Sequence, residues 1–197
     1  EKVGYFTLKE KLFSISGEDF TVESNGKDVY KVNGSNKIPF GIGGIVLDKM
    51  VLSSLSSKPR VICSVERRAL ALKAAYDLYP PSGGTCIAKI ESDFLPTLTP
   101  SFKFFYEAEG SREPFYRARG SFSECNWDVY GRDGREVASV SRGFLEVTER
   151  RDVYGIRAAK GADVAAVIAM AVVIDELHDE KKSSEEKSRK KKKKKKK

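Results

Sequence analysis

One histidine and three cysteines in a chain of 197 residues leave few groups fit for covalent or acid–base chemistry. His178 stands among Asp179, Glu180 and lysines just after an apolar run. A Ser-His-Asp arrangement needs its imidazole held rigidly in a pocket; this position reads as a solvated helix end. Glu107 and Glu109 are spaced like a carboxylate acid–base pair, but beside Gly110, Ser111 and Arg112 they read as the exposed face of a hairpin. Cys63, Cys86 and Cys125 form no C-x-x-C pair, and a single histidine makes a Cys/His zinc site unexpected. They read as small buried hydrophobes of a reducing compartment. Gly41-Ile-Gly-Gly44 fails the G-x-G-x-x-G phosphate spacing because Val46 holds its last position. No catalytic residue, cofactor or metal is therefore expected, and the chain is not read as an enzyme.

Arginines offer a different chemistry. Planar guanidinium forks match phosphate geometry, and Arg67, Arg68, Arg117, Arg119, Arg142, Arg150 and Arg151 fall at predicted strand ends or on outward strand faces. A rim that collected several of them would hold a phosphate headgroup. Glu66, Glu146 and Glu149 are interleaved, so the competing reading is a mixed-charge solvated surface.

The net charge of +8 is unevenly spread. Residues 181–197 carry twelve Lys/Arg against two acids, a net of +10. The 180 residues before them hold 24 basic and 26 acidic side chains, a net of −2. The reading is a domain over 1–180 and a disordered Lys-rich tail over 181–197, and a high pI says nothing about the domain. Three readings of the tail stand open. It is a tether for an anionic leaflet, a nuclear signal or nucleic-acid arm, or translated polyadenylate, since AAA encodes lysine. The chain opens on Glu1 rather than methionine and is read as a fragment. No signal peptide is visible, and the sequon Asn33-Gly34-Ser35 carries little weight without one.

Val164 to Ile174 supplies eleven apolar residues without a polar break. A helix that is apolar all round must be enclosed. At about 1.5 Å per residue it spans roughly 16 Å, short of the roughly 20 residues a bilayer requires. Val164, Val167, Ile168, Met170 and Val172 are its predicted buried positions, Ala162, Ala165, Ala166 and Ala169 its small-residue face, and Asp163 its N-cap. Asp175 and Glu176 oppose the macrodipole at the other end, a mismatch expected to be relieved by solvent.

Before the helix the chain reads as strands. Phe20 to Val32, Tyr76 to Ile90 and Trp127 to Val140 each set an alternating strand, a glycine-bearing turn and a second strand in succession. That is hairpin patterning, with Asn25-Gly26 and Asp133-Gly134 its strongest turns. In Phe115 to Phe122 the residues Tyr116, Ala118, Gly120 and Phe122 share one face. Val153 to Ala158 reads as the last strand, and Ser53 to Lys58 as a flexible loop between two strands. Lys37 to Ser57 as a whole gives no clean alternation. Successive hairpins form a meander, and a meander with no covered edge closes into a barrel.

Three stretches together resemble the LURP-one-related family: Lys9 to Val22, the hairpin Trp127 to Arg142, and Asp152-Val-Tyr-Gly-Ile-Arg157 with the apolar helix ending at Asp175-Glu-Leu177. Their order and spacing match over roughly residues 5–178. The resemblance implies a tubby C-terminal-like fold: mainly β, a closed antiparallel barrel of about twelve strands around a buried C-terminal helix. Tubby proteins, which bind phosphoinositides, and phospholipid scramblases share that fold. The expectation is a monomeric, non-enzymatic barrel, cytoplasmic and peripheral at membranes. It would bind anionic membrane lipids such as phosphoinositides, or a protein partner. A nuclear regulator touching nucleic acid through its tail is the alternative. Scramblase-like activity is disfavoured, because the chain shows no spanning helix, metal site or palmitoylation site.

Overall fold

The computed structural model describes residues 3–10, 19–39, 46–68, 73–93, 101–121, 126–141 and 153–177. Twelve strands follow one another: β1 (Gly4–Glu10), β2 (Phe20–Ser24), β3 (Lys27–Pro39), β4 (Val46–Ser54), β5 (Arg60–Arg67), β6 (Ala75–Tyr79), β7 (Ala88–Ser92), β8 (Ser101–Tyr106), β9 (Tyr116–Ser121), β10 (Asn126–Gly131), β11 (Glu136–Ser141) and β12 (Val153–Ala158). Among the described residues one α-helix, α1, spans 164–177. Each strand pairs antiparallel with its neighbours in sequence, and β12 pairs with β1 to close the ring. The predicted meander barrel is the observed one.

Turn chemistry places the hairpins. Asn25 and Gly26 both take positive φ, 51° and 72°, the left-handed pair that matches strand twist in a two-residue turn. Gly134 does the same at 75° between β10 and β11. The loop expected over Ser53 to Lys58 is shorter: β4 continues through Ser54 and β5 begins at Arg60. The featureless Lys37 to Ser57 stretch contains the end of β3 and all of β4, paired with a register shift between Ser35 and Ile38. A bulge shifts the inward–outward alternation by one residue and hides a strand from a period-two reading. Residues Gly41 to Gly44 lie outside the described residues.

Alternation then sorts the side chains. Leu8, Val22, Met50, Leu52, Ile90 and Phe104 point inward and are buried. Inside them lies α1, buried at every position from 166 to 175, with Val167, Ile168 and Val173 fully enclosed. Val164 is half-buried, and Met170 and Val172 are buried as expected. A void beside the helix, bounded by Trp127, Val129, Tyr154, Met170 and Asp175, measures about 20 Å³. That is room for about one water. The helix fills the centre of the ring, and chemistry there is confined to the rims and the outer wall.

Antiparallel pairing makes successive connections alternate between two rims. The β2–β3, β4–β5, β6–β7, β8–β9 and β10–β11 turns share one rim with the start of β1 and the β12–α1 turn. This is the proximal rim; α1 runs from it toward the distal rim, where its last turn meets Tyr154 near the start of β12.

Candidate functional site

A polar cluster stands where α1 begins. Asp163 caps the helix: one carboxylate oxygen accepts the Ala166 N–H at 3.1 Å, and the other accepts the Tyr106 hydroxyl. Its backbone N–H donates to the Tyr116 hydroxyl oxygen at 2.9 Å. Burial, and then the bond to Asp163, hold the Tyr106 phenol well above its ordinary range. Burial also raises Tyr116 and Tyr30. The buried Cys63 thiol is pushed up to about 11, by burial first and by the Asp163 charge second. Each shift stabilises the protonated, unreactive form. Half-buried Cys86 bonds through its thiol to the Ala88 carbonyl at 3.0 Å; Cys125 lies outside the described residues.

A mirror arrangement ties the distal end. Asp175, expected at solvent, is only 6% exposed, and the Tyr154 hydroxyl donates to its carboxylate. A carboxylate set against a helix C-terminus is unfavourable in itself; a buried phenol donor offsets that. Both clusters fasten the helix to the wall. They are anchors, and burial holds Tyr106, Tyr116, Tyr30 and Cys63 around the proximal one in their protonated, unreactive forms.

The candidate arginines do not gather in one place. Arg67 ends β5 half-buried at the distal rim. Arg68, just beyond, donates to Asp77 through Nε at 3.2 Å and lies 3.9 Å from Glu91. Arg117 and Arg119 lie on the outward face of β9, four strands away, roughly 19 Å along the sheet at about 4.8 Å per strand. Arg142, Arg150 and Arg151 lie outside the described residues, as does His178.

The outer wall is largely self-neutralised. Lys9 meets Glu23 at 2.6 Å, Lys49 meets Glu66 at 2.7 Å, Lys89 meets Glu107 at 2.7 Å and Arg157 meets Glu136 at 2.7 Å. Arg117 and Arg119 are different: neither has an ion-pair or hydrogen-bond partner among the described residues. Two residues apart on one face, their Cα atoms are separated by about 7 Å. In register, Arg117 stands between Lys103 and Tyr130, and Arg119 between Ser101 and Asp128. Lys103 is itself paired with Asp93. Glu107 and Glu109, expected on the exposed face of a hairpin, form an exposed single 3-10 turn in the β8–β9 hairpin, Glu109 bonded to Arg132. A cleft of about 470 Å³ opens beside it, lined by Phe115, Arg132, Arg135, Glu136 and Lys160. Its arginines are occupied, Arg132 with Glu109 and the Phe115 ring face, Arg135 with Asp133 at 2.6 Å.

Sequence reading marked Asp163 through its capping position but missed Tyr106 and Tyr116, because nothing local links a strand-end tyrosine to a cap 57 residues away. Among the described residues no three His, Cys, Asp or Glu could hold a metal ion, and no helix is long and apolar enough to cross a membrane.

A closed twelve-stranded meander plugged by its own last helix, with free guanidiniums on its wall, defines the class of protein. Its sequence gives the family: the LURP-one-related family model matches residues 5–175, and the chain belongs to that family. The fold is similar to that in the X-ray structure of a protein from Arabidopsis thaliana, with a TM-score of 0.58 and 19% identity, covering 89% of this chain and 91% of that one. No curated protein matches the chain in sequence.

Proposed function

We propose that this barrel is a non-enzymatic protein that binds anionic phosphate headgroups of membrane lipid, peripheral at the cytoplasmic face, with Arg117 and Arg119 as the headgroup contacts. One observation carries the reading: these are two unpaired guanidiniums on one face of a wall whose other charges are mostly matched. An unpaired guanidinium meets a phosphate without first breaking an ion pair, whereas Arg68 would have to leave Asp77. The filled centre supports the same reading, since a ligand must then be met from outside.

Flotation on phosphatidylcholine vesicles, with and without phosphatidylinositol bisphosphate, tests it. A chain ending at residue 180 is the proper subject, because the net +10 of residues 181–197 would bind any anionic surface. Phosphoinositide-dependent recovery is expected. At about 1 kcal/mol per cation the double variant Arg117→Gln/Arg119→Gln should bind roughly 30-fold more weakly. Equal recovery on both vesicles removes the lipid reading. A nuclear or nucleic-acid role rests on the tail alone, and loses its support if the full and shortened chains localise alike.

A further inference from the structure

Four large apolar side chains stand exposed among the described residues: Val3 at 39%, Tyr5 at 63%, Val61 at 42% and Ile87 at 42%. All four belong to the proximal rim. Val3 and Tyr5 open β1, Val61 is the second residue of β5, and Ile87 directly precedes β7. Scattered exposed hydrophobes need no explanation, but a set confined to one end does.

Charge differs round that rim. From β8 round to β12 the turns carry three closed ion pairs, Arg132 with Glu109, Arg135 with Asp133 and Arg157 with Glu136, beside two cations unpaired among the described residues, Arg112 and Lys160. From β1 round to β7 the turn cations are unpaired among the described residues: Lys27 after the β2–β3 turn, then Lys58 and Arg60 at the β4–β5 turn. Asp28, beside Lys27, is the acid there without a partner among the described residues, while Glu23, opposite it in register, is held by Lys9. The order round this half-rim is therefore Tyr5, Lys27, Lys58 with Arg60 and Val61, then Ile87. Between β6 and β7 the loop Pro80 to Thr85 has no charged residue, and its prolines join Val51, Val61 and Tyr79 in a groove that also holds Ser64 and the Lys49–Glu66 ion pair.

We infer that the β1-to-β7 half of the proximal rim rests on an anionic lipid surface, its aliphatic and tyrosine side chains entering the interface and Lys58 and Arg60 facing the phosphates. Apolar groups with interleaved unpaired cations suit a bilayer interface, where burial and attraction to anionic lipid add. The inference rests on the lipid reading above and orients it. Arg117 is the second residue of β9 counted from this same rim, on the β8-to-β12 side of the ring. The distal rim, with the last turn of α1, faces away.

Trp127 is the single tryptophan and is buried, so a tryptophan placed on the surface reports its own surroundings. Ile87→Trp, Val61→Trp and, at the exposed distal β5–β6 connection, Lys73→Trp are compared in the full chain. The vesicles are phosphatidylserine–phosphatidylcholine carrying brominated acyl chains. Expected are a blue shift and loss of emission at positions 87 and 61, and neither at 73. Lys58→Glu and Arg60→Glu should each weaken vesicle binding at least fivefold in a chain ending at residue 180. Unquenched emission at 61 and 87 on vesicle-bound protein overturns the orientation, as does quenching at 73. The headgroup reading fails separately, when recovery ignores both phosphoinositide and the Arg117→Gln/Arg119→Gln change. Lipid-free self-association abolished by Ile87→Glu would give the rim to a second copy of the chain and overturn the inference.

Discussion

At the scale of single residues the structure separates groups that are held from groups that are free. Cys63 is the clearest of the held ones. Its thiol is pushed up to about 11, while an unfolded chain releases that proton near 9. A raised folded value means the stabilisation is complete below pH 9 and is lost as pH climbs toward 11. The urea midpoint should be flat from pH 7 to 9 and fall above it. Cys63→Ala should remove about 2 kcal/mol of that fall, leaving the part due to Tyr106, whose phenol is raised as well. Iodoacetamide at pH 8 should label half-buried Cys86 well before Cys63, read by peptide mass spectrometry. Gly120 is constrained in a different way. A Cβ there would fall 1.9 Å from the Asn126 carbonyl oxygen, across a backbone pair that cannot part cheaply. Gly120→Ala should cost about 3 kcal/mol or lose the fold, as seen in the denaturation midpoint. Its sequence context gave no warning, because Tyr116, Ala118 and Gly120 read simply as one inward face.

Among the elements, α1 depends on its two anchors. Asp163→Ala removes both the cap and the acceptor for Tyr106, and should cost about 2 kcal/mol. Asp163→Asn keeps a capping oxygen and should cost about half as much; urea unfolding of the two variants compares them. Equal losses would mean that the cap itself contributes little. The helix was legible because an unbroken apolar run has only one environment available to it, an enclosed one. Its distal anchor was not, since Asp175 after an apolar run looks like the point where a helix meets water. The partner that reverses this, Tyr154, comes from a strand 21 residues earlier and is brought there only by the threading of the ring. The strands divide in the same way. Asn25-Gly26 and Asp133-Gly134 announce their hairpins through backbone conformations that few residues adopt. The pairing of β3 with β4 was hidden by its register shift, because alternation out of phase across a bulge resembles no alternation at all.

For the whole molecule, closure and charge distribution decide how it meets other bodies. A closed ring leaves no free strand edge among its twelve strands, so strand addition is not open to it. Contact must come through side chains on the wall or the rims. The wall is largely neutralised by its own ion pairs, and the domain is near-neutral before residue 181. Net charge therefore separates two modes of attraction to an anionic vesicle. Twelve basic residues in 181–197 act through counterion release and screening, both steeply salt-dependent. The proximal rim acts partly through apolar burial, which salt does not weaken. Vesicle affinity of the full chain should therefore fall sharply between low and physiological salt. A chain ending at residue 180 should bind more weakly at low salt but lose proportionately less. Both slopes can be read from one flotation series across salt concentrations. If the shortened chain shows the steeper slope, the apolar part of the contact is absent, and the attraction of the barrel to lipid is purely a matter of charge.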